Sequence, residues 1–221
     1  MVQRNSTLTK RKLVGGWGVN DLSKPVKRDA YIDDEGVYHK RWAYPLYEHW
    51  KNIIARARCP KYHAKFPAYS DVEVCEDWKY LSKFEEWALT HDYEGKALDK
   101  DILGDGKLYS PDTCCFITPR LNGFLVGCRI KKDLPLGVTW EQDRQKYKAE
   151  IAINGKSRRL GNFTNQWQAH LVYCKKKLEL AQQILVEEQA DERISSALQI
   201  KLQKQVDNAE MLYLESLKEK Q

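Results

Sequence analysis

The stretch from residue 146 to residue 163 constrains the fold most strongly, because it has the pattern of a β-hairpin. Alternate positions from Tyr147 to Ile153 are apolar, which is the period of a strand with one buried face. The dipeptide Asn154-Gly155 follows, and it is the strongest short hairpin signal because both central residues of the turn need positive φ. The run 157–163 would then return as the second strand.

A helix is predicted directly after this hairpin. Thr164 has the side chain of an N-cap, and apolar residues then recur at helical spacing. These residues would pack on the sheet, and they are Trp167, Leu171, Cys174 and Leu178. The sequence therefore predicts a small sheet with one face covered by a helix.

Positive charge is concentrated in this same segment. Residues 136–181 contain nine basic and four acidic residues, a net charge of about +5 in a chain whose total is +6. A basic ribbon of two or three strands fits the major groove of DNA, where Arg and Lys meet phosphates and guanine edges. The candidate contacts are Trp140, Arg144, Lys146, Lys148, Arg158 and Arg159. The alternative is a small α+β module whose basic face is only solvated.

The same segment resembles a DNA-binding domain of the APETALA/ethylene-response-factor type, in the version found beside phage and mobile-element endonucleases. The resemblance covers about forty-five residues. The residues that carry it are Gly137-Val138, Trp140, Lys146 to Ile151, Asn154-Gly155-Lys156, Leu160 to Phe163, and Ala169. It implies a three-stranded sheet in the major groove of double-stranded DNA, with a helix behind the sheet.

A second, tryptophan-rich α+β module precedes this domain. Apolar residues from Tyr47 to Ile54 have helical spacing, and Pro60 would end that helix. The run 69–74 is a short strand candidate, and 78–88 predicts a second helix with aromatic core positions. Further on, a strand at 97–103, a Gly-rich turn, another strand and a helix start follow the ββα outline of a His-Me finger nuclease.

This module resembles the phage HNH-type homing endonucleases whose C-terminal half carries an APETALA-type domain. The motifs are Tyr47-x-x-Trp50-Lys51-Asn52 with Arg58-Cys59, Val74 to Trp78, Leu98 to Asp101, and Tyr109 to Cys114. The resemblance implies cleavage of DNA phosphodiester bonds with Mg²⁺ or Mn²⁺. Asp99 occupies the position of the metal-binding carboxylate, and Asn122 occupies the metal-binding position at the helix. Both are hard oxygen ligands suited to Mg²⁺.

Two positions depart from the HNH pattern. Lys100 stands where the resemblance requires the general-base His, and Thr113 stands where it requires an Asn. An unperturbed Lys is protonated at pH 7, so Lys100 is better suited to hold a phosphate. In a rearranged site Asp101 would polarise the attacking water instead, or His91 or His63 would enter the site from a loop. Two non-catalytic interpretations compete: an ordinary solvated turn at 99–101 with a local ion pair, or a nuclease fold that only binds DNA.

The six cysteines predict thiols rather than a zinc centre. The chain has no C-x₂-C pair, and the adjacent Cys114 and Cys115 would point to opposite faces of a strand. Buried thiols that pack as small hydrophobic groups are therefore favoured over structural Zn²⁺.

Five segments follow from these patterns. They are a basic irregular arm with one hairpin (1–42), the HNH-like module (43–125), a basic linker (126–135), the APETALA-type domain (136–181) and an acidic helical extension (182–221). The arm would lie along the DNA backbone or form a solvated tail. The extension carries an apolar stripe, and it would fold back on the protein, form a homodimer or hold a protein partner.

The sequence as a whole predicts an α+β DNA-binding protein that ends in a long helix or a helical hairpin. No apolar run reaches membrane-spanning length, and the N-terminus lacks the apolar core of a secretory signal. The resemblance implies a location in the cytoplasm of a phage-infected bacterium. The rival functions are a catalytically inactive DNA-binding regulator and an accessory protein that binds and inhibits another protein.

Overall fold

The structure is a computed structural model that describes residues 13–126, 133–153 and 155–218. It is mixed α+β, as predicted, with small sheets of two or three strands and a long C-terminal helix. The chain divides into two compact units, Met1–Phe116 and Ile117–Gln221. Within the described ranges, no helix is both long enough and apolar enough to cross a membrane.

Some predicted features lie outside the described residues. They are four basic residues of the N-terminal arm (Arg4, Lys10, Arg11 and Lys12), most of the linker (127–132) and the turn residue Asn154. The predicted hairpin of the arm is present, since Tyr31 pairs with His39 and Ile32 with Tyr38.

The described residues of the first unit form three α-helices and a set of short strands. Its helices are α1 (Pro45–Arg58), α2 (Pro60–Lys65) and α3 (Leu81–Ala88), with 3₁₀ turns at Pro67–Tyr69 and Glu76–Lys79. Its strands are β1 (Lys27–Arg28), β2 (Tyr31–Ile32), β3 (Tyr38–His39), β4 (Trp42–Ala43), β5 (Glu73–Val74), β6 (Ala97–Asp99), β7 (Leu108–Tyr109) and β8 (Cys115–Ile117), the last of which ends at the first residue of the second unit. Every sheet here is a pair: β1 with β4, β2 with β3, β5 with β7, and β6 with β8.

The core of the first unit is built on α1. Its apolar residues fall on one face, so Leu46, Trp50 and Ile54 are completely buried, which confirms the predicted helical period. The indole Nε1 of Trp50 donates a 2.6 Å hydrogen bond to the carbonyl of Trp78. The ring of Trp78 packs edge-on against Phe84 at 5.0 Å, so α1 and α3 share one aromatic core.

One local prediction in this unit is wrong, and a second is confirmed but incomplete. The segment 69–74 is a strand only at Glu73–Val74, because Pro67–Tyr69 forms a 3₁₀ turn instead. α1 does end just before Pro60, at Arg58, but Pro60 also begins α2. Proline is favoured in the first turn of a helix because its φ fits and its missing N–H would be unpaired there.

The second unit consists of a three-stranded sheet and three helices. Its elements are α4 (Pro119–Val126), β9 (Val138–Glu141), β10 (Lys146–Ile153), β11 (Lys156–Phe163), α5 (Gln166–Glu187) and α6 (Glu192–Lys218). The sheet is antiparallel in the order β11-β10-β9, with β10 in the middle. Gly155 has a φ of +73°, as the predicted hairpin turn requires.

The cap of α5 differs from the prediction. Asn165, not Thr164, is the N-cap, and its side-chain oxygen accepts hydrogen bonds from the N–H groups of Trp167 (2.8 Å) and Gln168 (3.4 Å). Asn and Thr are both favoured N-cap residues, so the sequence alone does not show at which of these two neighbours the helix begins.

The acidic extension folds back as the second arm of a helical hairpin. The Asp191 carboxylate caps α6 by accepting the N–H of Arg193 at 2.8 Å. The apolar stripe of α6 is buried at Leu198, Leu202, Val206 and Ala209, which confirms the interpretation that it folds back. Val206 and Ala209 belong to the same apolar cluster as residues of α5, so α6 packs on the helical side of the sheet.

Candidate nucleic-acid interface

The register of the sheet assigns its residues to two faces. Ala149 and Ile151 are buried on β10, and their neighbours in the helix-facing core include Val138, Ala169 and Leu171. Side chains alternate along a strand, and directly paired residues share a face. The opposite, open face is therefore formed by Thr139, Glu141, Lys146, Lys148, Glu150, Ala152, Ser157, Arg159 and Asn162.

A β-bulge changes the pairing in the middle of the hairpin. Ala149 pairs with Gly161, whereas the next residue, Glu150, pairs with Arg159. Leu160 is the extra residue on β11, and it packs with the apolar core. The bulge places Arg159 opposite Glu150, on the open face.

Glu150 is the centre of a hydrogen-bonded network on this face. Its carboxylate accepts hydrogen bonds of 2.9 Å from Lys148 Nζ, Thr139 Oγ1 and Ser157 Oγ. Partial burial alone would raise the pKa of Glu150, but these three donors outweigh it and hold the pKa below its ordinary value. Lys148 is thus fixed by a carboxylate and is only 20% exposed.

Glu141 holds the second set of contacts. Its Oε1 accepts a hydrogen bond from the guanidinium of Arg159, which reaches across the middle strand from β11. Its Oε2 lies 3.9 Å from Nε of Arg144, in the turn between β9 and β10. This Oε2 is buried and has no hydrogen-bond partner among the described residues.

Three cations of the sheet are free of ion pairs. Lys146, Lys156 and Arg158 are exposed, and no carboxylate of the described residues lies within 4.0 Å of their charged nitrogens. Cations of this kind can neutralise DNA phosphates and so release the counterions that are condensed on the DNA.

The six predicted contact residues are distributed unequally over these faces. Lys146, Lys148 and Arg159 lie on the open face, and Arg144 is at its edge in the β9–β10 turn. Trp140 and Arg158 are opposite Tyr147 and Ile151, so they lie on the helix-facing side. The rings of Trp140 and Tyr147 are 4.7 Å apart, which gives Trp140 a packing role at the edge of the sheet.

The sequence analysis missed the two glutamates. Glu150 is two residues after Lys148 on β10, and residues two positions apart on a strand share a face. Its place on the open face could therefore have been found from the strand pattern alone. Glu141 could not, because its contact with Arg159 depends on the register of three strands and on the bulge.

The predicted catalytic segment folds as a tight turn in the first unit. Asp99 ends β6, and its Oδ1 accepts hydrogen bonds of 2.8 Å from the N–H groups of Asp101 and Ile102. Burial raises the pKa of Asp99 above its ordinary value, and the two N–H groups only partly oppose this. Asp99 therefore acts in the structure as the acceptor that closes the turn.

Lys100 is buried rather than directed at solvent. It is 7% exposed, and its Nζ donates a 2.8 Å hydrogen bond to Asp101. The ammonium also lies over the rings of Tyr69 at 5.3 Å and Tyr109 at 5.7 Å. These contacts hold the turn against the aromatic residues, and they leave little surface from which Lys100 could reach a phosphate.

The two predicted metal ligands lie on different elements of the chain. Asn122 lies on α4 in the second unit and Asp99 in the first. One oxygen of Asp99 is already used by two backbone N–H groups. Among the described residues, no group of three or more His, Cys, Asp and Glu side chains is placed to hold a metal ion.

The thiols of Cys59, Cys75, Cys114 and Cys174 are free. Cys114 and Cys115 are both buried, and burial raises the pKa of the Cys114 thiol to about 12. A protonated, buried thiol packs as a small hydrophobic group.

The network around Glu150 has a testable dependence on pH. Because its pKa is lowered in the folded state, its contribution to stability is present at neutral pH and is lost as the pH falls through the lowered value. Glu150→Gln is therefore expected to lower the urea midpoint at pH 7 and to leave it unchanged at a pH where wild-type Glu150 is protonated. An equal loss at both pH values would contradict this role. Asp143→Asn removes an exposed carboxylate of the same sheet and is the control.

Comparison of this chain with known protein families, with curated protein sequences and with solved structures finds no match.

Proposed function

We propose that the second unit binds double-stranded DNA through the open face of its three-stranded sheet. The observation that supports this best is the arrangement of Lys146, Lys148 and Arg159 on the face of the sheet that is opposite α5, with Arg144 at its edge. Both helices of the hairpin pack on the opposite side of the sheet. The acidic extension therefore leaves the basic face open to a ligand.

The dimensions of the sheet fit this ligand. Neighbouring strands lie about 4.8 Å apart, so three strands span about 10 Å. The major groove of B-DNA is about 12 Å wide and admits β-ribbons. The open face carries both donors and acceptors, because Glu141, Glu150 and Asn162 lie between the basic residues. A mixed face of this kind suits base edges better than a purely basic surface would.

The experiment that tests the proposal is the binding of a fluorescent 20-base-pair duplex at several salt concentrations. Three to six cations in contact with phosphates give a slope of log K against log [salt] of about −3 to −5. We expect a slope in this range for the full-length protein. Binding that does not depend on salt, or no binding at low salt, would contradict the proposal.

Cleavage of the bound DNA is a second candidate function. It is supported by the order of elements in the chain, since β6 pairs with β8 and α4 follows directly, as in the ββα outline. Asp99 stands at the end of β6. The metal-binding roles of Asp99 and Asn122 stay predictions, and no hydrolytic step is assigned to these residues.

Plasmid DNA incubated with the protein and Mg²⁺ or Mn²⁺ separates the two candidates. An endonuclease converts supercoiled plasmid to nicked or linear forms, and Asp99→Ala should abolish this conversion without weakening DNA binding. A DNA-binding regulator on the same scaffold retards the plasmid in a gel and leaves it intact. If Asp99→Ala cleaves like the wild type, Asp99 has no part in catalysis.

A further inference from the structure

The Glu141 carboxylate has two costs that its ion pairs with Arg159 and Arg144 have to offset. Its Oε2 is buried without a hydrogen-bond partner among the described residues, which destabilises the folded protein. Its negative charge lies on the face that would approach phosphates, so it also opposes binding. These two costs leave room for a third explanation of the residue, beside the stabilising effect of its ion pairs.

The third explanation is the orientation of Arg159. The Nη2 atom of Arg159 donates to Glu141 Oε1, and its Nη1 donates to Asn162 Oδ1 at 3.3 Å. Glu141 is on β9, and Arg159 and Asn162 are on β11, so two strands on either side of β10 hold the same guanidinium. The side chain is still 43% exposed. It is therefore both fixed and accessible.

A fixed guanidinium can distinguish bases. An arginine reads guanine by donating two hydrogen bonds to O6 and N7 in the major groove. Arginine has five N–H donors, and the contacts with Glu141 and Asn162 use two of them. A side chain that is already ordered loses less conformational entropy on binding, so more of the contact energy distinguishes one base from another.

We infer that Glu141 is a positioning residue that makes Arg159 selective for a guanine in duplex DNA. This inference rests on the proposed DNA-binding function and adds sequence selectivity to it. Glu141 contributes through Arg159 and need not touch the DNA. Arg144, whose Nε is 3.9 Å from Oε2 of Glu141, has a side chain that is 61% exposed and therefore accessible to a phosphate.

The test compares Glu141→Gln with a matched control. Asp143→Asn removes the same charge from the exposed turn two residues away. The probes are a duplex enriched by the wild-type protein from a randomised library, and the same duplex with its guanines replaced one at a time. We expect Glu141→Gln to bind random-sequence DNA at least as tightly as the wild type. Its discrimination at one guanine should fall about tenfold, in line with the loss of a bidentate base contact.

The control fixes the interpretation of each outcome. Asp143→Asn should strengthen binding to all duplexes alike and keep the discrimination of the wild type. Equal discrimination by Glu141→Gln and Asp143→Asn, with unfolding midpoints like that of the wild type, would overturn the inference. The inference would also be overturned if the wild-type protein bound DNA without preferring any sequence. The proposed DNA-binding function would not be affected by that result. A wild-type protein that binds no duplex would overturn the proposed function instead.

A second variant and a second measurement test whether a loss of discrimination comes from a change of fold. Glu141→Asp keeps the charge but shortens the side chain, so it should restore overall affinity to the wild-type value without restoring discrimination. Urea unfolding midpoints of both variants are measured beside the binding. If Glu141→Asp discriminates as well as the wild type, the contact with Arg159 is not what sets selectivity, and the inference fails.

Discussion

The combined replacement of Lys146, Lys148 and Arg159 by alanine is expected to weaken DNA binding by about a hundredfold or more. One bidentate arginine–base contact contributes about 1–3 kcal/mol of discrimination, and each lost phosphate contact reduces the salt slope by about 0.9. All three residues lie on the open face of the sheet. The measurement is the titration of a fluorescent duplex at several salt concentrations, which gives both the affinity and the slope.

A control triple variant separates this effect from a general loss of positive charge. Lys175, Lys176 and Lys204 lie on the helical hairpin, and their replacement by alanine removes the same charge. We expect this variant to bind DNA within a few-fold of the wild type. Equal losses in the two triple variants would mean that net charge, not the open face, determines binding.

Gly137→Ala is expected to produce the largest loss of stability in the second unit. Gly137 has a φ of +78°, a region that costs other residues about 1–2 kcal/mol. A Cβ atom there would also overlap the ring of Tyr173, which is 2% exposed and cannot move outward. Overpacking of a core typically costs about 1–3 kcal/mol. The sum is a destabilisation of about 2–5 kcal/mol.

Gly155→Ala provides the comparison for this variant. Gly155 has a similar φ of +73°, but nothing lies within 4 Å of the position that a Cβ would occupy. It should therefore show only the backbone cost, about 1–2 kcal/mol. Unfolding in urea can be followed by the indole NMR signals of Trp140 and Trp167, which report on the second unit. Equal effects of the two substitutions would show that the contact with Tyr173 is not decisive.

The sheet could be predicted well from the sequence because its signals are local. The alternation in Tyr147–Ile153 and the Asn154-Gly155 dipeptide define two strands and their turn. The faces of the neighbouring strands depend on register, which the local pattern does not contain. Trp140 thus falls on the helix-facing side, and the bulge at Leu160 sets the position of Arg159.

The segment around Asp99 illustrates a different limit. Acidic residues next to a lysine are equally compatible with a catalytic centre and with a closed turn. The difference lies in tertiary contacts: two backbone N–H groups on Asp99, and two tyrosine rings beside Lys100. Tyr69 and Tyr109 are distant from Lys100 in the sequence, so no spacing rule brings them together.

The most direct test of DNA recognition by the open face is a titration of ¹⁵N-labelled protein with a short DNA duplex, followed by amide chemical shifts. The account predicts the largest changes at Thr139, Lys146, Lys148, Arg159 and Asn162, with small changes along α6. Changes confined to α6 or to the first unit, with the open face unaffected, would contradict it.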